Sequence, residues 1–373
     1  MMNMKYEMPP MNLPEPFLID DSAFSLKALR SRAKALSVDH AVPEWRRDLF
    51  TFIRMFLDKG GEAIIQKTSG TTGEPAKVNL KRSAMIRSAE MTLDFFRLQP
   101  GDPVLLCLPV RYIAGKMMVV RALAGGLRLV TTEPASRPLK QVSRTFRFAS
   151  MVPLQVHESV QHGDPLSLLD QLLVGGGGAY PALLRELEKL ERPVIHESFA
   201  MSETYSHFAL RRVNGTSPDS HFRLMEGVRI RRDQRGCLVV QVQGVTDGEV
   251  VTGDLVQIGR DGKGFRWMGR IDHVFKSGGI KVVPEVLEQR IGGWLKRPCL
   301  VLPEEDPGLG QRIVLLVETG GHPAPAGQWE ELLRKKLPGH ACPKKIVTVR
   351  EFPRNPSFKP DRRAAAGLIG RGY

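Results

Sequence analysis

The chain has no long apolar run, and none of its segments approaches the roughly 20 residues that a membrane-spanning helix needs. Its first residues show no charged segment followed by an apolar core, so the sequence predicts no secretory signal. The four cysteines among its 373 residues lie far apart, without the spacing of metal ligands. We therefore expect a cytoplasmic protein with no membrane span and with reduced thiols.

Acidic residues are in short supply. There are 40 Asp and Glu against 54 Lys and Arg, which gives a formal net charge of +14. Such a charge attracts anionic partners such as nucleotides and coenzymes, although a solvated basic surface explains it equally well. No zinc-finger, RNP or aromatic-interleaved basic pattern occurs in the sequence. We therefore expect no nucleic-acid partner, and the sequence leaves the oligomeric state open.

A segment rich in small hydroxyl residues and glycines follows the strand-like run Ala63-Ile64-Ile65. It reads Thr68-Ser69-Gly70-Thr71-Thr72-Gly73-Glu74-Pro75-Ala76-Lys77. Its backbone N–H groups, hydroxyl donors and small side chains are typical of a loop that wraps the phosphates of a nucleotide. It lacks the glycine–lysine pair of a Walker A loop. Taken alone, such a segment is more often a flexible linker, so the other motifs must decide.

The order of predicted elements indicates an α/β fold with two domains. Near the middle of the chain a strand, the glycines Gly175 to Gly178, a helix opened by Pro181 and another strand follow one another. This order favours α/β layers with ligands near the strand ends. Antiparallel β pattern begins near Val228, and the last hundred or so residues read as a small α+β unit. We predict domains at residues 1–271 and 272–373.

Four further segments carry residues suited to nucleotide chemistry. Phe199 is suited to stack on a base, and Glu203 is suited to bind a hard cation such as Mg²⁺. Alternatively, Phe199 is an ordinary core aromatic and Glu203 an ordinary surface glutamate. Asp254 offers an acceptor-only side chain for ribose hydroxyls, although Gly-Asp is also a common turn. A charged turn with a glycine pair runs from Gly269 to Lys281, and Lys359 lies in a proline-stiffened loop. Each of these two is ordinary surface when taken alone.

Together, in this order and at these separations, the five segments resemble the adenylate-forming superfamily of acyl-CoA synthetases, peptide-synthetase adenylation domains and luciferases. The resemblance implies a large N-terminal α/β adenylation domain with a β subdomain, and a small, mobile C-terminal α+β lid. It also implies two half-reactions. A substrate carboxylate attacks the α-phosphorus of ATP and releases pyrophosphate, and the thiolate of coenzyme A (CoA) then displaces AMP from the acyl-adenylate.

The resemblance also assigns roles to individual positions. The β- and γ-phosphates of ATP would be held by Thr68, Ser69, Gly70, Thr71, Thr72, Gly73 and the nearby Lys77. The rest of the nucleotide would contact Gly176, Gly177 and Phe199 at adenine, and Asp254 and Arg270 at the ribose, with Ser202 as a further ATP-binding residue. Glu203 would bind Mg²⁺, Asp272 would be the hinge, and Lys359 would approach the α-phosphate. Lys359 and Mg²⁺ would supply positive charge where one anion attacks another.

Three local segments look like the compact o-succinylbenzoate–CoA ligases of menaquinone synthesis. They are the runs from Ser277 to Val282, from Glu203 to Leu210 and from Pro109 to Met117. The short N-terminal part agrees, because only 67 residues precede the phosphate loop. A dicarboxylate substrate needs a second anion contact, for which the candidates are Arg111, Tyr112, Lys116, Ser206 and His207. His207 is equally well explained as a core residue.

Three positions depart from the family pattern. Ala76 stands where lysine is usual, Ala200 where glycine is usual, and Phe358 replaces the glycine before Lys359. The last change matters most, because a bulky residue restricts the approach of the backbone. Three alternatives therefore remain: a ligase for another aryl or acyl acid, an enzyme that loads a carrier protein, and a nucleotide-binding protein with weakened catalysis.

Overall fold

The computed structural model describes residues 13–58, 63–67, 77–178, 181–323, 325–354 and 360–370. Its α-helices are α1 (Leu26–Leu36), α2 (Glu44–Leu57), α3 (Arg82–Phe96), α4 (Ile113–Gly125), α5 (Pro153–Gln161), α6 (Pro181–Leu187), α7 (Pro284–Leu295), α8 (Ala326–Lys336) and α9 (Arg362–Ile369). Its strands are β1 (Phe17–Ile19), β2 (Ser22–Phe24), β3 (Ala63–Lys67), β4 (Lys77–Lys81), β5 (Pro103–Leu106), β6 (Arg128–Thr131), β7 (Phe146–Met151), β8 (Leu169–Val174), β9 (Val194–Ala200), β10 (His207–Arg212), β11 (Phe222–Leu224), β12 (Val228–Arg232), β13 (Cys237–Val242), β14 (Val250–Ile258), β15 (Gly264–Arg270), β16 (Phe275–Ser277), β17 (Ile280–Val282), β18 (Cys299–Asp306), β19 (Gly310–Glu318) and β20 (Lys345–Val349).

One large sheet extends through the described chain as far as Arg270. Its thirteen strands have the order β12-β13-β14-β15-β11-β10-β9-β8-β7-β5-β6-β1-β2. The strands from β9 to β6 pair in parallel, and helices α4, α5 and α6 lie in the connections from β5 to β6, from β7 to β8 and from β8 to β9, as is usual between parallel strands. The strands from β9 to β12 by way of β15 pair antiparallel. The predicted α/β fold with an attached β subdomain is confirmed.

A three-stranded sheet of β18, β19 and β20 dominates the part of the chain after residue 275. Alternate residues of β18 point to its two faces, and both faces are covered. Val301 packs with α7 and α8, whereas Leu300 and Leu302 pack with Phe352 and α9. This arrangement is the expected small α+β unit. The domain boundary at Asp272 stays a prediction.

Helix α4 is buried on nearly every side. Its residues from Met117 to Leu123 are all buried, because the helix packs against α3, β5 and β6. A helix that is buried on all sides has apolar residues all around its circumference. One charged residue, Arg121, interrupts this run and is buried with it.

Two local expectations are wrong. The sequence predicts Ser83 as the cap of a helix with apolar positions at Ile86, Ala89, Leu93 and Phe96, but α3 begins at Arg82 and its N-cap is Lys81. The sequence predicts a strand at Pro193–Ile195 with Phe199 just past its end, whereas β9 continues to Ala200. Pairing with β8 on one side and β10 on the other keeps this polar stretch extended. No helix within the described ranges combines the length and apolar character that crossing a membrane requires.

Candidate active site

The glycine turn after β8 lies directly against the end of β9. The backbone N–H of Gly175 donates to the carbonyl of Met151 at 3.1 Å, and Ser198 Oγ donates to the carbonyl of Val174 at 3.2 Å. A Cβ on Gly175 would lie 2.4 Å from Ser198 Oγ, and Gly176 has a φ of +80°. Only glycines fit such an approach and such a backbone. The turn therefore brings Gly176 to the carboxyl edge of the parallel strands, where ligands bind in this class of sheet.

Phe199 lies at the same edge and is held by three other aromatic rings. Its ring centroid is 5.6 Å from Phe208, 5.3 Å from Phe222 and 5.1 Å from Phe265, all in edge-on geometry. Phe199 remains half-buried. These contacts support the core interpretation of Phe199, and its role at adenine remains a prediction.

A braced turn between β9 and β10 carries Ser202 and Glu203. The N–H of Tyr205 donates to the carbonyl of Ser202 at 3.1 Å, and Tyr205 has a left-handed φ of 64°. Its hydroxyl accepts the N–H of Lys81 at 3.0 Å, which ties the turn to β4. Glu203 is exposed on this turn, so its carboxylate is accessible to a ligand.

The predicted phosphate loop connects the two strands of a hairpin. Lys67, the last residue of β3, pairs with Lys77, the first residue of β4. The loop residues from Thr68 to Gly73, together with Ala76, lie outside the described residues, as does the side chain of Lys77. Phe358 and Lys359 also lie outside the described part. The roles assigned to all of them remain predictions.

The two predicted ribose residues and the predicted hinge residue form one charged group. Asp254 and Arg270 are directly opposite each other on β14 and β15, with Arg270 Nη1 3.8 Å from Asp254 Oδ2. Trp267 Nε1 donates to Asp254 Oδ1 at 3.0 Å. Arg270 also donates to both oxygens of Asp272, at 3.0 and 3.2 Å. These hydrogen bonds raise the pKa of Arg270 and lower the pKa of Asp272, so both groups are ionised at neutral pH.

Three of the predicted substrate residues lie at the start of α4. Arg111 stacks on Tyr112, with its guanidinium carbon 5.2 Å from the ring centroid. Lys116 Nζ donates to the carbonyl of Arg111 at 3.1 Å. Burial lowers the pKa of Lys116 to about 8, against the opposing effect of Asp48. The group therefore presents two cations and one half-exposed aromatic ring.

Ser206 and His207 lie in a buried hydrogen-bond chain that starts at Arg121. Arg121 Nη2 donates to Ser206 Oγ at 2.7 Å, and Ser206 Oγ is 3.1 Å from His207 Nδ1. His207 Nε2 is 3.3 Å from Thr92 Oγ1, which donates to the carbonyl of Ser88 at 3.1 Å. Burial, with the nearby Arg121, holds the pKa of His207 well below its ordinary value. A neutral His207 that accepts from Ser206 and donates to Thr92 satisfies the whole chain.

Arg121 is a candidate site residue that the sequence motifs missed. It is 2% exposed, burial lowers its pKa to about 9, and its Nε has no hydrogen-bond partner among the described residues. No carboxylate in the described ranges forms an ion pair with it, whereas buried arginines are ordinarily paired. A lone arginine within the apolar run from Met117 to Leu123 was the available signal. Such a cation is suited to an anionic ligand.

The acidic side chains at this site are sparse. Within the described ranges no group of three or more His, Cys, Asp or Glu side chains is placed to hold a metal ion. Mg²⁺ in nucleotide enzymes is commonly bound by one or two carboxylates and otherwise by phosphates and water. Glu203, whose carboxylate is exposed, can supply one such carboxylate ligand.

The fold and the family match define an enzyme of the adenylate-forming class. The family model described as AMP-binding enzyme matches residues 32–254. This range contains the predicted phosphate loop, the glycine turn, Phe199, Glu203 and Asp254. The chain therefore belongs to the AMP-binding enzyme family, as the resemblance implied.

Three individual proteins of known name or structure are similar to this chain over most of its length. The crystal structure of an acyl-CoA synthetase (AMP-forming)/AMP-acid ligase II-like protein from Dyadobacter fermentans is 30% identical, covers 91% of this chain and 98% of its own, and has a TM-score of 0.61. A probable 2-succinylbenzoate–CoA ligase of Mycobacterium tuberculosis is 27% identical over an alignment of 336 residues that covers 81% of this chain and 83% of the relative. The o-succinylbenzoate–CoA synthetase of Bacillus subtilis, solved with its acyl-adenylate intermediate, shares the fold with a TM-score of 0.73 at 16% identity, covering 94% of this chain and 95% of its own.

Proposed function

We propose that this protein is an ATP- and Mg²⁺-dependent acid–CoA ligase that converts o-succinylbenzoate to its CoA thioester through an acyl-adenylate. Membership of the AMP-binding family supports the adenylation step. Similarity to 2-succinylbenzoate–CoA ligases supports the substrate. We further propose that the enzyme acts in the cytoplasm, in menaquinone synthesis.

The observation that carries the choice of substrate is the buried Arg121. A monocarboxylic acid is consumed at its only carboxylate, so it leaves no anion for a second cation. A dicarboxylate such as o-succinylbenzoate keeps one carboxylate after adenylation. Arg121 donates to Ser206 at 2.7 Å, and its buried Nε, which has no hydrogen-bond partner among the described residues, offers a charged donor for that carboxylate. Lys116 supplies a second cation on the same helix.

The remaining residues fit the proposed first half-reaction. We propose that Phe199 and the glycines of the turn hold adenine, while Asp254 and Arg270 hold the ribose. Lys359 would neutralise the charge that develops as the substrate carboxylate attacks the α-phosphorus and pyrophosphate leaves. Mg²⁺, bound through Glu203, would supply further positive charge at the phosphates.

We propose that residues 272–373 form a lid that turns about Asp272 between the two half-reactions. Lys359 would then leave the site and make room for the CoA thiol. The ion pair of Asp272 with Arg270 supports this assignment, because it joins the hinge to a residue that would contact the nucleotide.

The test is acid-dependent exchange of labelled pyrophosphate into ATP, measured with a panel of acids. We expect exchange with o-succinylbenzoate, at least tenfold slower exchange with benzoate and with fatty acids, and an o-succinylbenzoyl thioester when CoA is added. Exchange with monocarboxylates alone would contradict the substrate. ATP binding without exchange for any acid would instead support the weakened nucleotide-binding protein.

The acceptor thiol is tested separately. The purified enzyme is given o-succinylbenzoate and ATP with either free CoA or a phosphopantetheinylated carrier protein. We expect thioester on CoA only, and transfer to the carrier alone would replace the CoA assignment.

A further inference from the structure

The segment that carries Lys359 is closed at its base by residues on both sides of it. Arg354 and Pro360 form an antiparallel bridge, and the N–H of Asp361 donates to the carbonyl of Pro353 at 2.8 Å. Arg354 Nη2 also donates to the two oxygens of Glu318, at 3.2 and 3.0 Å. The two ends of the segment are thus held together and fixed to β19.

Helix α9 begins directly after this segment, and its first residue is bound to α7. Arg362 Nη2 donates to both carboxylate oxygens of Glu288 at 2.6 Å, and Nη1 donates to the carbonyl of Val301 at 3.2 Å. Glu288 Oε1 also accepts the N–H of Val301 at 2.7 Å. The side chains of Arg362 and Glu288 are only 19% and 14% exposed. Burial makes such a contact stiff and costly to break.

A second carboxylate of α7 extends this contact to the predicted hinge. Glu285 Oε1 lies 3.6 Å from Arg362 Nη2 and accepts a hydrogen bond from His273 Nδ1. His273 follows Asp272 directly. The other oxygen, Glu285 Oε2, is buried without a hydrogen-bond partner in the described part of the chain. It lies against Gly269 of β15, where a Cβ would come within 2.4 Å of it.

We propose that Arg362, Glu288, Glu285 and His273, here called the Arg362 cluster, are positioning residues that set where the Lys359 segment stands relative to the hinge. This inference rests on the proposed function, because Lys359 acts in the adenylation step. The cluster does not touch the substrate. It acts through the backbone of α9, three residues after Lys359, and through the turn that begins at the hinge.

This geometry makes the two half-reactions unequally sensitive to the cluster. Adenylation needs Lys359 at the α-phosphate, and a displacement of about 1 Å in a catalytic group can cost about a hundredfold in rate. Thioester formation does not use Lys359 in the proposed scheme. Loss of the Arg362–Glu288 contact should therefore slow adenylation and leave transfer from a supplied acyl-adenylate nearly unchanged.

The decisive variants are Arg362→Met and Glu288→Gln, with Arg363→Met as the matched control. Arg363 is the next residue of α9 and is exposed, so its variant removes the same charge from the same helix. We expect both cluster variants to lower kcat for pyrophosphate exchange at least tenfold with the KM for ATP within threefold. Thioester formation from supplied o-succinylbenzoyl-adenylate should stay within twofold of the wild type. Arg362→Lys should recover part of the loss, because it keeps a point charge without the forked geometry.

Equal loss of both half-reactions in the cluster variants would show a merely structural role. An unchanged rate of pyrophosphate exchange would show that the cluster has no part in catalysis. Amide hydrogen exchange supplies a readout that does not depend on activity. The peptide that spans residues 352–362 should exchange faster in Arg362→Met and Glu288→Gln, while β18 and β19 stay protected. Unchanged protection of that peptide would overturn the proposal. If the wild type shows no acid-dependent pyrophosphate exchange, the proposed function fails, and amide exchange still decides whether the cluster holds the segment.

Discussion

Replacing Arg121 with methionine should make the protein more stable and a poorer enzyme. The guanidinium is 2% exposed and donates one hydrogen bond, to Ser206. Burial lowers its pKa to about 9. At about 1.4 kcal/mol for each pKa unit, keeping this charge in the folded protein costs several kcal/mol. Methionine is shorter than arginine and carries no such cost.

The expected gain in stability is smaller than that cost. Arg121→Met gives up the hydrogen bond to Ser206, worth about 1 kcal/mol, but Ser206 still donates to His207. Buried ionic groups replaced by apolar ones commonly yield about 1–4 kcal/mol. We expect the free energy of unfolding, measured by urea titration without ligands, to rise by about 1–3 kcal/mol.

The pH dependence of this gain has a definite sign. The folded-state pKa of this base is depressed, so the unfolded chain binds the proton more tightly and the charged form weakens the fold. That penalty is fully present below about pH 9 and is relieved only as the pH rises through the folded-state pKa. The gain in Arg121→Met should therefore be constant between about pH 6 and 8.

The catalytic effect has the opposite direction. A charge-assisted hydrogen bond is worth about 1.5–3 kcal/mol, which corresponds to roughly 10–150-fold in kcat/KM for o-succinylbenzoate. Activity with monocarboxylates, already low, should change less than threefold. Arg121→Lys serves as the control, because it keeps a buried charge and should show no gain in stability. A less stable Arg121→Met protein with unchanged kcat/KM would refute the reasoning on both counts.

Three further outcomes are expected. Lys359→Ala should abolish pyrophosphate exchange yet leave thioester formation from supplied acyl-adenylate largely intact, and equal loss of both would remove Lys359 from its assigned role. Glu203→Gln should raise the Mg²⁺ concentration needed for half-maximal exchange at least tenfold, because an amide binds a hard cation more weakly than a carboxylate; an unchanged requirement would count against Glu203 as a ligand. Asn214→Ala should lower the free energy of unfolding, measured by urea titration, by about 2–4 kcal/mol. The reason is that the buried amide accepts from the N–H of Ile195 and donates to the carbonyls of Leu190 and Pro193. A decrease of less than about 1 kcal/mol would contradict this.

Elements with a clear apolar period were predicted well from the sequence. The sequence pattern predicts a helix near Trp45–Leu57, which is α2, Glu44–Leu57, and a strand at Lys345–Val349, which has those bounds. In both segments the apolar residues are regularly spaced, and the flanking residues are ones that terminate a helix or a strand. The stretch from His196 to Ala200 was predicted poorly, because its polar residues hide a strand that neighbouring strands hold extended.

The candidate site likewise contains residues that a sequence motif points to and a residue that none does. Phe199, Glu203 and Asp254, whose roles remain predictions, are nominated by motifs, since their local sequence context is distinctive. Arg121 is not, because a single arginine in an apolar helix has no sequence pattern of its own. Its contact with Ser206 joins residues 85 positions apart, and only the packing of α4 brings them together.

The position of β15 in the large sheet has a consequence for truncated forms of the chain. The AMP-binding family match ends at Asp254, which makes that residue an obvious place to cut an expression fragment. Such a fragment would lack β15, which bridges β14 and β11. Two strand edges would then be open, with unpaired N–H and C=O groups that invite intermolecular pairing. A fragment that aggregates when cut at 254 but not when cut after Arg270 is the expected result, because the sheet is completed 16 residues beyond the family match.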